Sequence, residues 1–409
     1  MIRILTPVAP LLIGVAILLT GQGLQGTLLP VRANLEGFSA LSIGLMGGAY
    51  FFGFTLGCLR GSNLVRRVGH IRVFAAMTAA ASAVPLLHGL WQEAWLWWLL
   101  RAITGYCFAV LYVVIESWLN EQSTNETRGA VFSAYTLITL TVLAGGQQML
   151  LLYDPQTMAL FAIASAVVSM AAIPVVLSVA PSPAHTEAEV RLNLRRLLRI
   201  APAGAIGCLT AGLANGSFWA LAPVFVSGYS ADVSLAAWFM TAAVLGGAVG
   251  QWPLGRWSDR VDRRWVLVFA GLSGMITGLV IWWFFAGVSS LSLMLMSAAW
   301  GAVAFPIYAI SVAAANDKAE QGEYVQISSG LLLMYGLGAI AGPFISPLVM
   351  NFAGPGGLYL FAATVHLVFV IYILLRIIRR APAHEEDQLP FADSLASAQT
   401  ASHIYEEEM

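Results

Sequence analysis

Twelve apolar runs, each of about 20 residues, constrain this chain more than any other feature. They lie near 7–29, 41–60, 72–91, 95–119, 128–150, 157–180, 203–227, 234–255, 265–287, 290–315, 325–350 and 356–378. A helix of that length crosses the hydrocarbon core of a bilayer, and in lipid every backbone N–H and C=O must find its partner inside the segment. The composition agrees: 59% of the 409 residues are hydrophobic and 10% are charged, whereas soluble domains carry about 25% charged residues. The sequence therefore predicts an all-α integral membrane protein with twelve transmembrane helices. The first run follows Arg3 but has no small-residue cleavage site, so it reads as a span and not as a signal peptide.

Basic residues set the expected orientation. Seventeen of them, from Arg60, Arg66 and Arg67 through Arg256, Arg260, Arg263 and Arg264 to Arg380, fall on the side of the N-terminus. By the positive-inside rule that side is the cytoplasm of a cell (inner) membrane, with both termini inside. Only Arg32 falls in an outer connection, and only Arg101 falls well within a span. The formal net charge of -1 conceals an asymmetry: all 20 basic residues precede residue 381, and seven acids follow it. Residues 381–409 read as a disordered acidic tail without assigned function.

The expected domains are a six-helix bundle at 1–180, a linker at 181–202 and a second six-helix bundle at 203–380. In the linker Arg191, Arg195 and Arg199 recur at helical spacing opposite Val190, Leu194, Leu197 and Leu198. It reads as an amphipathic helix, either on the anionic inner leaflet or solvated. The bundles repeat one another. A shift of 193 residues pairs Gln22 with Asn215, Gly23 with Gly216, Pro30 with Pro223, Gly53 with Gly246 and Gly57 with Gly250. A shift of 196 pairs Gly105 with Gly301, Tyr112 with Tyr308, Glu121 with Asp317 and Gly146 with Gly342. Both halves start on the same side, so the repeat is parallel and pseudo-symmetric about the membrane normal.

The fourth run holds two charges, Arg101 and Glu116, and Glu116 is the one carboxylate inside any run. An ionisable side chain at the bilayer centre costs about 2.5–3.5 kcal/mol, so it normally faces a bundle interior with a task there. Arg101 reads as a ligand for an anionic group, as a modulator of a neighbour's protonation, or as a structural arginine. Glu116, roughly 22 Å along the helix at 1.5 Å per residue, reads as a proton-coupling carboxylate or as part of a gate with Arg67. Gln22, Gln25, Gln147, Asn215, Trp219, Tyr112 and Tyr308 complete the candidate substrate-binding set, and for the aromatics packing is the competing reading. No phosphate-binding glycine loop, catalytic constellation or metal-ligand spacing is present, so neither an enzyme nor a cofactor is expected.

The connection after the eighth run, Gly255 to Arg264, resembles the G-x-x-x-D-R-x-G-R-R loop of the major facilitator superfamily at Gly255, Asp259, Arg260, Arg263 and Arg264. Asp262 stands where that pattern has its second glycine. The corresponding stretch Ser62 to Arg72 keeps Arg67 and Gly69 but has Arg66 at the aspartate position, so Arg66 and Arg67 are expected to pair with Glu116 or Glu121. Arg101-x-x-x-Gly105 is similar to a second signature that members associate with proton coupling. Gly338-x-x-x-Gly342-Pro343 is similar to a glycine–proline element of antiporters. Val114-Ile115-Glu116-Ser117 and the run from Gly250 to Arg256 resemble the YcaD-like bacterial branch. The resemblance implies a monomeric secondary transporter in the lipid bilayer that moves a small molecule by alternating access, as a proton-coupled exporter, with no nucleic-acid partner. The alternatives are an uptake carrier or facilitator, and a transporter-like sensor without flux.

Overall fold

The structure, a computed structural model, describes residues 8–124, 127–178, 194–318, 324–379 and Phe391. Among these residues every regular element is helical. The helices are α1 (Ala9–Leu35), α2 (Ala40–Val68), α3 (His70–Leu90), α4 (Ala94–Glu121), α5 (Arg128–Gln148), α6 (Ala159–Met170), α7 (Ala172–Val176), α8 (Leu194–Ile200), α9 (Pro202–Ser227), α10 (Val233–Ser258), α11 (Arg263–Phe284), α12 (Ser290–Ala304), α13 (Pro306–Asn316), α14 (Tyr324–Ala353) and α15 (Gly357–Arg379). They supply twelve segments long and apolar enough to cross a membrane, with α6 and α7 forming the sixth and α12 and α13 the tenth. The tenth is interrupted at Phe305 because Pro306 has no N–H to continue the ladder.

The chain divides into two compact units, Met1–Ala188 with Ser230–Thr241, and Glu189–Tyr229 with Ala242–Met409. Each is held by close helix pairs in which glycine removes the side chain that would keep the backbones apart. In the first unit a Cβ at Gly53 would run into the carbonyl of Ala102, and one at Gly105 into that of Tyr50, so α2 and α4 meet backbone to backbone. Gly23 and Gly146 bring α1 and α5 together against the carbonyls of Leu143 and Thr20. The second unit repeats both contacts. Gly246 and Gly250 lie on the carbonyls of Ala298 and Ala302, Gly301 on that of Ala243, Gly216 on Ala339 and Gly342 on the carbonyl of Leu213. The glycines paired by the internal repeat thus do the same mechanical work in each unit.

Three local expectations are corrected. Arg32 does not sit in a connection; it closes the last turn of α1, 6% exposed, donating to the Pro155 carbonyl at 2.8 Å and to Glu36 Oε1 at 2.5 Å. Residues 62–72 are not a loop: α2 runs to Val68, and the chain turns at Gly69 alone, whose φ of +93° suits glycine. The described part of the linker, α8, buries Leu197 against Ile327, Leu331 and Met334 of the second unit, so that leucine packs on protein and not on lipid. Arg191 lies outside the described residues, as does the tail apart from Phe391.

Candidate transport site

The fourth span is α4, and what it carries is decided by its contact with α2. Because Gly105 lets α4 lie on the Tyr50 backbone, the Arg101 guanidinium one turn away comes to rest over the Tyr50 ring, 4.3 Å from its centroid. A cation in that position is attracted by the ring quadrupole, by about 2 kcal/mol when water is excluded. Arg101 Nε is buried without a hydrogen-bond partner, and no carboxylate pairs with Arg101 among the described residues. The Tyr50 hydroxyl accepts from Gln22 Nε2 at 2.9 Å, and Gln22 Oε1 accepts from the Tyr112 hydroxyl at 2.8 Å. Arg101, Tyr50, Gln22 and Tyr112 therefore form one line through α4, α2 and α1.

Glu116, one turn beyond Tyr112, is half-buried and lies within electrostatic reach of Tyr112, Cys58 and Tyr135. No cation or hydrogen-bond donor meets it among the described residues. Among the described residues no ion pair joins Arg66 or Arg67 to Glu116: Arg66 donates to Asn63 Oδ1 at 2.9 Å, and Arg67 is exposed. The reason is helical. With α2 unbroken to Val68, both arginines point off its exposed end. Residue 70, which the repeat aligns with Arg263, is a histidine whose Nε2 lies 3.0 Å from Ser117 Oγ.

Gln25, on α1, is 2% exposed and neither amide atom has a partner, so after Arg101 on α4 it is a second unsatisfied polar group of the first unit. Gln147 is also buried, but its Oε1 accepts from Thr241 Oγ1 at 3.0 Å, and Gln148 Nε2 donates to the same hydroxyl at 2.7 Å. Thr241 is on the part of α10 that belongs to the first unit.

In the second unit Asn215 is 5% exposed with Oδ1 unpartnered. Trp219 stacks on Phe305 with centroids 5.6 Å apart and planes at 11°, and Tyr308 meets Tyr335 edge-on at 5.0 Å. These four aromatics are half-buried. Trp300, by contrast, is fully buried against Phe218 and serves packing.

The signature stretch of this unit is a working charge cluster. Arg263, 2% exposed, donates from Nε to Asp317 Oδ2 at 2.7 Å and lies 3.7 Å from Asp259. Asp259 does not cap the following helix; Asp262 does, accepting from the Arg264 N–H at 3.0 Å and pairing with its guanidinium at 2.6 Å. Arg260 is exposed. Tyr50 and Thr241 are the members that sequence reasoning missed. The signal for Tyr50 was the Gly53/Gly57 spacing against Gly105, which fixes the α2–α4 contact. Among the described residues no three His, Cys, Asp or Glu side chains converge as metal ligands.

Two glycine-matched units and twelve spanning helices, with an arginine and a carboxylate left unpaired inside one span, define the class: a multi-pass membrane transporter. The sequence profile of the Major Facilitator Superfamily matches residues 11–229 and again 204–405, and the chain belongs to that family. An uncharacterized MFS-type transporter of Enterobacter sp. strain 638 is 29% identical over 385 residues, covering 92% of this chain and 97% of its own. The uncharacterized MFS-type transporter YcaD of Escherichia fergusonii is 27% identical, covering 90% and 95%. The nucleoside transporter NupG shares the fold with a TM-score of 0.76 at 14% identity, over 90% of this chain and 98% of that one. The E. coli fucose:proton symporter FucP follows with 0.59 at 16%, over 91% and 99%.

Proposed function

We propose that this protein is a secondary active transporter that exports a small organic molecule from the cell in exchange for protons, by alternating access, as a monomer in the inner membrane with both termini cytoplasmic. The observation that carries the reading is the pair of unneutralised charges on α4, Arg101 and Glu116, with Tyr50, Gln22 and Tyr112 between them. An arginine held over an aromatic ring with a free Nε is a site for an anionic or strongly polar group. A carboxylate without a cation partner inside a span can take up and release a proton during the cycle. In the first unit Gln25, with both buried amide atoms unsatisfied, is a further candidate polar contact. The second unit has its own candidates, Asn215 with its unsatisfied Oδ1 and the Trp219, Phe305, Tyr308 and Tyr335 rings. Arg66, Arg67 and Gly69, and Gly255, Asp259, Arg260 and Arg263, are assigned to the control of opening at the cytoplasmic ends.

A thermal-shift screen against metabolites and drugs identifies candidate ligands, because a ligand that binds the folded state raises its apparent stability. Ligands so found are then added to proteoliposomes loaded with a pH dye. The reading expects substrate addition to move protons in the wild type. Flux without proton movement would replace it by the facilitator reading, which the lack of a carboxylate in α1 and of a proline in α5 favours.

A further inference from the structure

Phe391 lies beyond the last span, in the stretch read as an unattached acidic tail, yet it is 8% exposed. Its ring joins the core cluster that contains Leu254, Val266 and Leu267. It rests on Gly255, where an added Cβ would come within 2.5 Å of the ring carbon Cε1. Its backbone N–H donates to Asp259 Oδ1 at 2.8 Å. That bond is shorter than the 3.7 Å between Asp259 and Arg263, so the nearer partner of this aspartate is the tail.

The position of Gly255 strengthens the case. Gly255 lies inside α10, which continues to Ser258. A helical glycine makes no turn, and its missing side chain is what leaves room for the Phe391 ring. Charge agrees: Phe391 is flanked in sequence by Glu385, Glu386, Asp387 and Asp393, whereas the segment it meets contains Arg256, Arg260, Arg263 and Arg264.

We propose that the end of α10 is a docking site for an acidic, aromatic-bearing peptide and that its occupant is this chain's own tail, anchored by Phe391 on Gly255 and Asp259. Docking holds Asp259 to a backbone amide and covers the signature segment. This inference does not depend on the transport reading.

Hydrogen exchange of the full chain in lipid nanodiscs, read by mass spectrometry, tests it. In the wild type the peptide around residue 391 is expected to exchange about tenfold or more slowly than an unstructured peptide, because a buried, hydrogen-bonded amide exchanges only on local opening. Phe391→Ala, a change outside the spans themselves, should bring that peptide to the free rate and speed exchange across residues 255–262. Asp259→Ala should release the tail in the same way. Free-rate exchange of the wild-type tail, or unchanged exchange at 255–262 in Phe391→Ala, would overturn the proposal.

Discussion

Two acids face Arg263, and the structure assigns them unequal weights. Asp317 is 5% exposed and meets Arg263 Nε at 2.7 Å, while Asp259 is 36% exposed at 3.7 Å. Breaking a buried ion pair from one side costs about 3–5 kcal/mol, because the remaining charge stays buried without its partner. In Asp317→Asn part of this is recovered, since Asp259 can move closer and the amide oxygen still accepts, so about 2–4 kcal/mol is expected. Asp259→Asn keeps its acceptor and removes an exposed, long pair worth about 0–1 kcal/mol. Reversible unfolding of the purified protein by SDS titration reads both. A double variant, Arg263→Leu with Asp317→Leu, removes both charges and should be more stable than Asp317→Asn alone, because no orphaned guanidinium remains. Equal losses in Asp317→Asn and Asp259→Asn, or a double variant no more stable than the single one, would refute the reasoning.

The same titration checks four further expectations. Gln22→Leu leaves the hydroxyls of Tyr50 and Tyr112 without their partner, so a loss of about 1–3 kcal/mol for each unsatisfied group is expected, together with loss of flux in proteoliposomes. Gly105→Leu forces α4 away from the Tyr50 carbonyl and should cost about 1–3 kcal/mol or more, whereas a Cβ at Gly26 meets nothing within 4 Å. Gly26→Ala should therefore be neutral or stabilising by up to about 1 kcal/mol. Arg32→Met loses the buried bond to the Pro155 carbonyl, a charge-assisted bond worth about 1.5–3 kcal/mol.

The architecture was legible because lipid permits so few backbone solutions: the apolar runs and the observed spans agree to within a turn or two at most ends. The repeat was legible too, since its paired glycines are forced by backbone contact and cannot drift. What escaped was set by how far helices extend into polar surroundings. Arg60, Arg66 and Arg67 read as a loop signal, yet helix α2 continues through them to Gly69. With that continuation the expected partnership with Glu116 was lost. Tyr50 escaped because a tyrosine in an apolar run has no local mark; its role comes from the arginine across the α2–α4 contact. Phe391 escaped for the opposite reason, one apolar residue in an acidic segment whose composition argues against packing.

The central claim is that α4 separates its two charges by task, with the Arg101 end binding substrate and Glu116 carrying the coupled proton. A radiolabelled compound chosen from the thermal-shift screen, followed in proteoliposomes under equilibrium exchange and under an imposed pH gradient, tests this most directly. Glu116→Gln should keep exchange while losing accumulation driven by the gradient, and Arg101→Ala should lose both. Gradient-driven accumulation that survives Glu116→Gln, or exchange that survives Arg101→Ala at the wild-type rate, would contradict the account.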